Sequence, residues 1–73
     1  MKKSITYSGT IYNYTVSARY LTRAYDFPVI TLVYCTPEHP DPISTTLMPT
    51  FNIKSEEDLY LEISEYFEDI KEY

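Results

Sequence analysis

Residues 55–73, SEEDLYLEISEYFEDIKEY, combine a helical repeat with a one-sided charge, and no other stretch limits the possible folds so tightly. Leu59, Ile63, Tyr66, Phe67, Ile70 and Tyr73 recur at the spacing of one α-helical face, with Tyr60 at its margin. Ser55 is placed to cap the first turn through its hydroxyl, and Asp58, three residues on, makes an aspartate version of the capping box. The opposite arc carries Glu57, Glu62, Glu65, Glu68, Asp69 and Glu72, with Leu61 as the lone apolar residue among them. Such an arc is unfavourable for its own helix. Asp58 and Glu62, Glu65 and Asp69, and Glu68 and Glu72 are like-charged pairs four residues apart, each costing about 0.2–0.5 kcal/mol. Only Lys71 offsets them, near a helix end whose dipole favours cations.

The charge of the whole chain is concentrated in this segment. The net charge is −5, yet residues 1–54 hold five Lys/Arg against three Asp/Glu, and residues 55–73 hold one Lys against eight Asp/Glu. An asymmetry of this kind bears on partners and solubility rather than on fold, and an acidic chain is poorly suited to nucleic acid or anionic lipid. At 73 residues the chain reads as one domain, 1–73, with enough apolar material for a thin sheet-and-helix core. The single cysteine, Cys35, excludes an intrachain disulfide framework, and no apolar run reaches signal-peptide or membrane length, so a cytoplasmic protein is expected.

Upstream of the helix the pattern is one of strands. Residues 5–7 and 11–20 read as a hairpin around Ser8-Gly9, the site of the only glycine. In the second strand Tyr12, Tyr14, Val16, Ala18 and Tyr20 share one face, while Asn13, Thr15 and Ser17 share the other. Residues 17–25 fit a continuing strand, a short helix or a loop; a strand ending near Tyr20 and a turn through Asp26 is the preferred reading. VITLVYC, residues 29–35, is β-branched and apolar on both faces, as a central strand is. TPEHPDP, residues 36–42, predicts a loop, because its three prolines remove amide donors. Residues 43–53 return as an edge or bulged strand around Pro49, with Ile43, Leu47, Phe51 and Ile53 on one side, and Lys54 leads directly into the helix.

The expected fold class is therefore α+β: a small antiparallel sheet of three to four strands with one C-terminal amphipathic helix packed on one face. The helix packs either on Val29, Thr31, Val33 and Cys35 or on Ile30, Leu32 and Tyr34. The face it leaves open is expected to be rich in tyrosine.

No catalytic constellation emerges. The only histidine, His39, lies four residues from Cys35, but Cys35 ends an apolar strand and is expected to be a buried, inert thiol. Glu38, His39 and Asp41 could ligate zinc only as three ligands on one loop, and the solvated-loop reading is preferred. One glycine cannot make a phosphate-binding loop. Tyrosines near Arg19 and Arg23 suggest base stacking, but five cations outside an acidic helix are few for nucleic acid. The expectation is a non-enzymatic chain with no cofactor, no metal and no direct nucleic-acid ligand.

Recognition of a larger protein is what remains. Carboxylates at turn spacing can stand in for phosphates on a basic, nucleic-acid-binding surface, with Leu61 as an apolar anchor ringed by Glu57, Glu62, Glu65, Glu68, Asp69 and Glu72. In size and charge the chain resembles the small acidic antagonists of host nucleases encoded by phages and mobile elements, the anti-CRISPR proteins among them. That resemblance implies an inhibitor. The alternatives are a homodimeric structural or regulatory module using a tyrosine-rich sheet face, and a small-ligand binder lined by tyrosines with Arg19 or Arg23.

Overall fold

A computed structural model of the chain describes residues 4–22 and 27–71, without the Lys71 side chain. Four strands, β1 (Ser4–Ile11), β2 (Tyr14–Leu21), β3 (Val29–Thr36) and β4 (His39–Leu47), are followed by one helix, α1 (Glu56–Lys71). The strands form an antiparallel sheet in the order β1-β2-β3-β4, and α1 lies across one face on the β1 side. The α+β architecture matches the sequence expectation, and residues 29–35 are indeed central.

The first hairpin turns four residues later than Ser8-Gly9. Its loop is Tyr12-Asn13, with Ile11 paired to Tyr14 and φ of 50° and 70° at the two loop residues. A two-residue loop matches the twist of its strands when both residues have positive φ, and asparagine tolerates that region well. Tyr12 tolerates it less well; its hydroxyl is tied to Glu68 of α1 at 2.5 Å. Gly9 instead sits inside β1, paired with Val16, where a Cβ would come within 2.7 Å of the Tyr7 hydroxyl. The glycine serves a close approach, not a turn. Of the ambiguous residues 17–25, Ser17 to Leu21 continue β2; residues 23–26 lie outside the described residues.

The prolines also require a correction. Only Pro37 and Glu38 form a turn, and Pro40 and Pro42 lie within β4. A two-residue hairpin makes Ile11–Tyr14 a hydrogen-bonded pair, and alternation across the sheet then aims the amides of Ile43, Thr45 and Leu47 at β3. Position 42 faces outward, where a missing donor costs the ladder nothing, and Pro40 sits in the irregularity opposite Tyr34 and Thr36. The strand expected over 43–53 ends at Leu47 instead, and residues 48–55 form an irregular connection longer than the direct junction expected at Lys54. Ile53 is buried from that connection, while Phe51 is exposed.

The core lies between the sheet and α1. Val16, Ala18 and Tyr20 of β2 and Ile30, Leu32 and Tyr34 of β3 face Leu59, Ile63 and Phe67 of the helix, so the second of the two candidate β3 faces is the covered one. Tyrosines build this core: Tyr14 stacks on Phe67 at 4.4 Å, Tyr34 meets Phe67 edge-on at 5.0 Å, and Tyr7 packs on Tyr60 at 5.6 Å. Among the described residues the open face is consequently not rich in tyrosine. It carries Thr6, Ser8, Thr10, Thr15, Ser17, Arg19, Thr31, Ser44 and Thr46 around Val33 and a half-buried Cys35. The ring areas went to the side where burial is largest. No described helix is long and apolar enough to cross a membrane.

Candidate functional site: the outer surface of the helix

The cap forms as a shifted version of the expected box. Ser55 Oγ accepts from the Asp58 amide at 3.2 Å, while the Asp58 carboxylate accepts from the Lys54 amide at 3.0 Å, one residue before the cap. Three acidic residues, Glu56, Glu57 and Asp58, fill the first turn, where the dipole favours them. Leu59, Ile63 and Phe67 are fully buried, Tyr66 and Ile70 partly so, and Tyr60 is exposed at 40%. Tyr73 lies outside the described residues.

The acidic arc is divided by its surroundings. Glu57, Glu65, Glu68 and Asp69 are exposed, and Leu61 among them is 54% exposed. At about 100° per residue, Glu57, Leu61, Glu65 and Glu68 fall in one row diametrically opposite Ile63. Glu72 would extend this row, but it lies outside the described residues. Glu62 departs from the expected arc: it is 6% exposed, and its carboxylate accepts from the Thr50 amide at 3.2 Å and the Thr50 hydroxyl at 2.9 Å. It is a tether between α1 and the 48–55 connection, and a partner would compete with Thr50 for its carboxylate. Periodicity placed it in the polar arc; Thr50, from an irregular segment, draws it inward. Glu68 is exposed but holds the Tyr12 hydroxyl, and that hydrogen bond, before any other influence, raises the phenol pKa of Tyr12. Glu57, Glu65 and Asp69 form no ion pair with described residues.

The remaining candidates separate. Arg19 is exposed on the open face and donates from Nε to Ser4 Oγ at 3.1 Å; Arg23 lies outside the described residues. Cys35 is half-buried on the open face rather than sealed in the core, because β3 turns its odd-numbered residues away from α1. His39 is exposed in β4, where its amide donates to Thr36 Oγ1 at 2.9 Å. Among the described residues no group of three His, Cys, Asp or Glu side chains is placed to hold a metal ion.

Two grooves flank the helix. One, of about 460 Å³, lies beside β1 and is lined by Tyr7, Ser55, Glu56, Glu57 and Tyr60. The other, of about 190 Å³, lies towards β4 and is lined by Leu47, Met48, Thr50, Glu62, Glu65, Tyr66 and Asp69. A shallow depression of about 390 Å³ on the open face includes Ser8, Ser17, Val33, Cys35 and Pro42. Tyr7 and Tyr60 line the first of these grooves, whereas Tyr14, Tyr20 and Tyr34 are committed to the core or its margin and Arg19 lies on the opposite face of the sheet. Comparison of the chain with protein-family models, curated proteins and solved structures returns no match.

Proposed function

We propose that this chain is a small, non-enzymatic, cytoplasmic binding protein that inhibits or modulates a larger protein by laying α1 on a basic, nucleic-acid-binding surface. One observation carries this reading: the outward side of α1 holds Glu57, Glu65, Glu68 and Asp69 around an exposed Leu61, and neither described cationic side chain, Arg19 on the open face of the sheet nor Lys54 before the helix cap, lies among them. Carboxylates one helical turn apart, about 6 Å at their Cβ atoms, approximate the spacing of successive phosphates along one strand of a duplex. A negative row on one side of a small body also orients the molecule during approach and speeds encounter with a cationic surface. Of the seven residues expected to touch the partner, Glu62 is replaced here by its structural role. Glu72 is retained from the sequence. The phage-encoded, anti-CRISPR-like antagonists of host nucleases remain the group this reading fits.

The test is capture from an extract of the source cells with the full chain immobilised, beside the triple variant Leu61→Ser/Glu65→Gln/Asp69→Asn. The expected partner is a nucleic-acid-binding protein that added duplex DNA or RNA displaces, and that the variant does not retain. A partner held equally by the variant, or indifferent to added nucleic acid, would refute this assignment. None of the three substituted side chains is buried, so circular dichroism of the variant should match the parent.

A further inference from the structure

The sheet has two edges, and they are protected unequally. β4 carries Pro42 at an outward position, Pro40 and Asp41 in an irregular stretch, and so few outward donors. Proline, inward or edge charge and bulges are the usual defences against strand addition. β1, SITYSGTI, has none of them: no proline, no charge and an unbroken register with β2 from Ser4 to Ile11. Because Ile11–Tyr14 is a hydrogen-bonded pair, Ile5, Tyr7, Gly9 and Ile11 aim their backbone groups at β2. Thr6, Ser8 and Thr10 aim theirs outward, and among the described residues no other strand pairs with that edge. Directly beside it, on the helix side, runs the groove of about 460 Å³ with Glu56 and Glu57 at its wall and the Tyr7–Tyr60 pair at its floor.

We propose that the outer edge of β1 receives an extended, basic segment of a partner protein as a fifth strand, with a lysine or arginine seated between Glu56, Glu57 and the Tyr7–Tyr60 pair. Main-chain hydrogen bonds to Thr6, Ser8 and Thr10 hold the segment, and alternate side chains give selectivity. Those pointing to the open face meet small hydroxyl residues, Thr6 and Ser8, which exclude little. Those pointing to the helix side enter the groove, where two carboxylates and two aromatic faces suit a cation. Charge decides against a second copy of this chain as the occupant. Pairing β1 with its own copy about a two-fold axis sets both helices on the same side of the joined sheet, with Glu56 and Glu57 of each turned towards the other. Helices that hold eight Asp/Glu and one Lys in residues 55–73 repel in that arrangement.

This edge meets the outward row of α1 only at Glu57, and the two are tested with other residues. The probe is a capped octapeptide of alternating threonine and lysine, titrated into the isotope-labelled full chain, with a threonine–glutamate octapeptide as control. The amide signals of Thr6, Ser8 and Thr10 should shift and their hydrogen exchange slow by about tenfold with the lysine peptide only. Glu56→Lys should weaken that peptide by about tenfold, the loss of one close charge pair. Ser8→Pro, which removes an outward donor, should weaken it at least as much while the rest of the spectrum stays dispersed. The inference is overturned if the lysine peptide moves only signals of Leu61, Glu65 and Asp69. It is equally overturned if both variants bind unchanged, or if the β1 edge becomes protected simply by raising the protein concentration without peptide.

Discussion

Tyr34 is the side chain in which packing and protonation meet. Its ring is buried edge-on against Phe67 at 5.0 Å and Tyr14 at 5.5 Å, and its hydroxyl lies 3.3 Å from that of Tyr66. The hydrogen bond to Tyr66, followed by burial, pushes its pKa from 10.0 up to about 12. The sign of the consequence follows from proton counting. Below pH 10 both folded and unfolded chains keep the proton, and the contribution of the neutral phenol is whole. Between pH 10 and about 12 the unfolded chain loses it first, so stability drains away across that window. Tyr7 and Tyr12 are raised as well and add to the slope, Tyr7 through burial and Tyr12 through Glu68. Urea midpoints measured across this range should fall steadily for the parent chain and less steeply for Tyr34→Phe, which has no proton to lose. Equal slopes would mean that Tyr34 does not keep its proton in the fold.

Among the elements, those whose burial is periodic were legible from residue order, and those defined by local backbone geometry were not. Leu59, Ile63 and Phe67 announce α1 because one face of a helix meets one surface, and residues 29–35 announce β3 because a strand flanked on both sides favours β-branched residues. The turn at Tyr12-Asn13 was hidden by Gly9, whose lack of a side chain makes room for a tyrosine ring rather than for a bend. Pro40 and Pro42 read as loop because their tolerance depends on which way an edge amide points, a property of the assembled sheet. Glu62 was indistinguishable from Glu65 for a similar reason: Thr50, which draws it inward, belongs to a segment without a repeat. The two glutamates should therefore respond oppositely to the same substitution. Glu65→Lys turns the Glu65–Asp69 repulsion into attraction and should raise stability by about 0.5 kcal/mol. Glu62→Lys strips the Thr50 amide and hydroxyl of their acceptor and buries a cation, and should lower stability by about 2–3 kcal/mol. Urea denaturation of both variants checks the contrast; similar shifts of the midpoint would mean that the Thr50 contacts contribute little.

At the scale of the molecule, a sheet with one apolar face and one hydroxyl-rich face has a single place to bury its core, and α1, with Ile53 from the connection before it, supplies the opposing layer. Ile30, Leu32, Leu59, Ile63 and Phe67 have no exposed surface at all, although the first two and the last three come from opposite layers. Neither layer has an independent reason to fold. Residues 55–73 alone form a helix of marginal length with like charges a turn apart, and such peptides are largely unfolded in water. Residues 1–54 alone would leave the inner faces of β2 and β3 open to water; at about 25 cal/mol per Å² this forfeits most of the apolar burial that opposes chain entropy. A chain cut after Lys54 should accordingly lose its cooperative thermal transition and its slow-exchanging amides in β2 and β3. Adding a synthetic peptide of residues 55–73 should restore both, since the acidic row faces away from the interface that must re-form. The same peptide with Phe67→Ala should not, because that ring stacks on Tyr14 and closes the core against Tyr34. A truncated chain that still melts cooperatively would show that the sheet stands without its helix, and α1 would then be free to leave it and meet a partner with its apolar face instead.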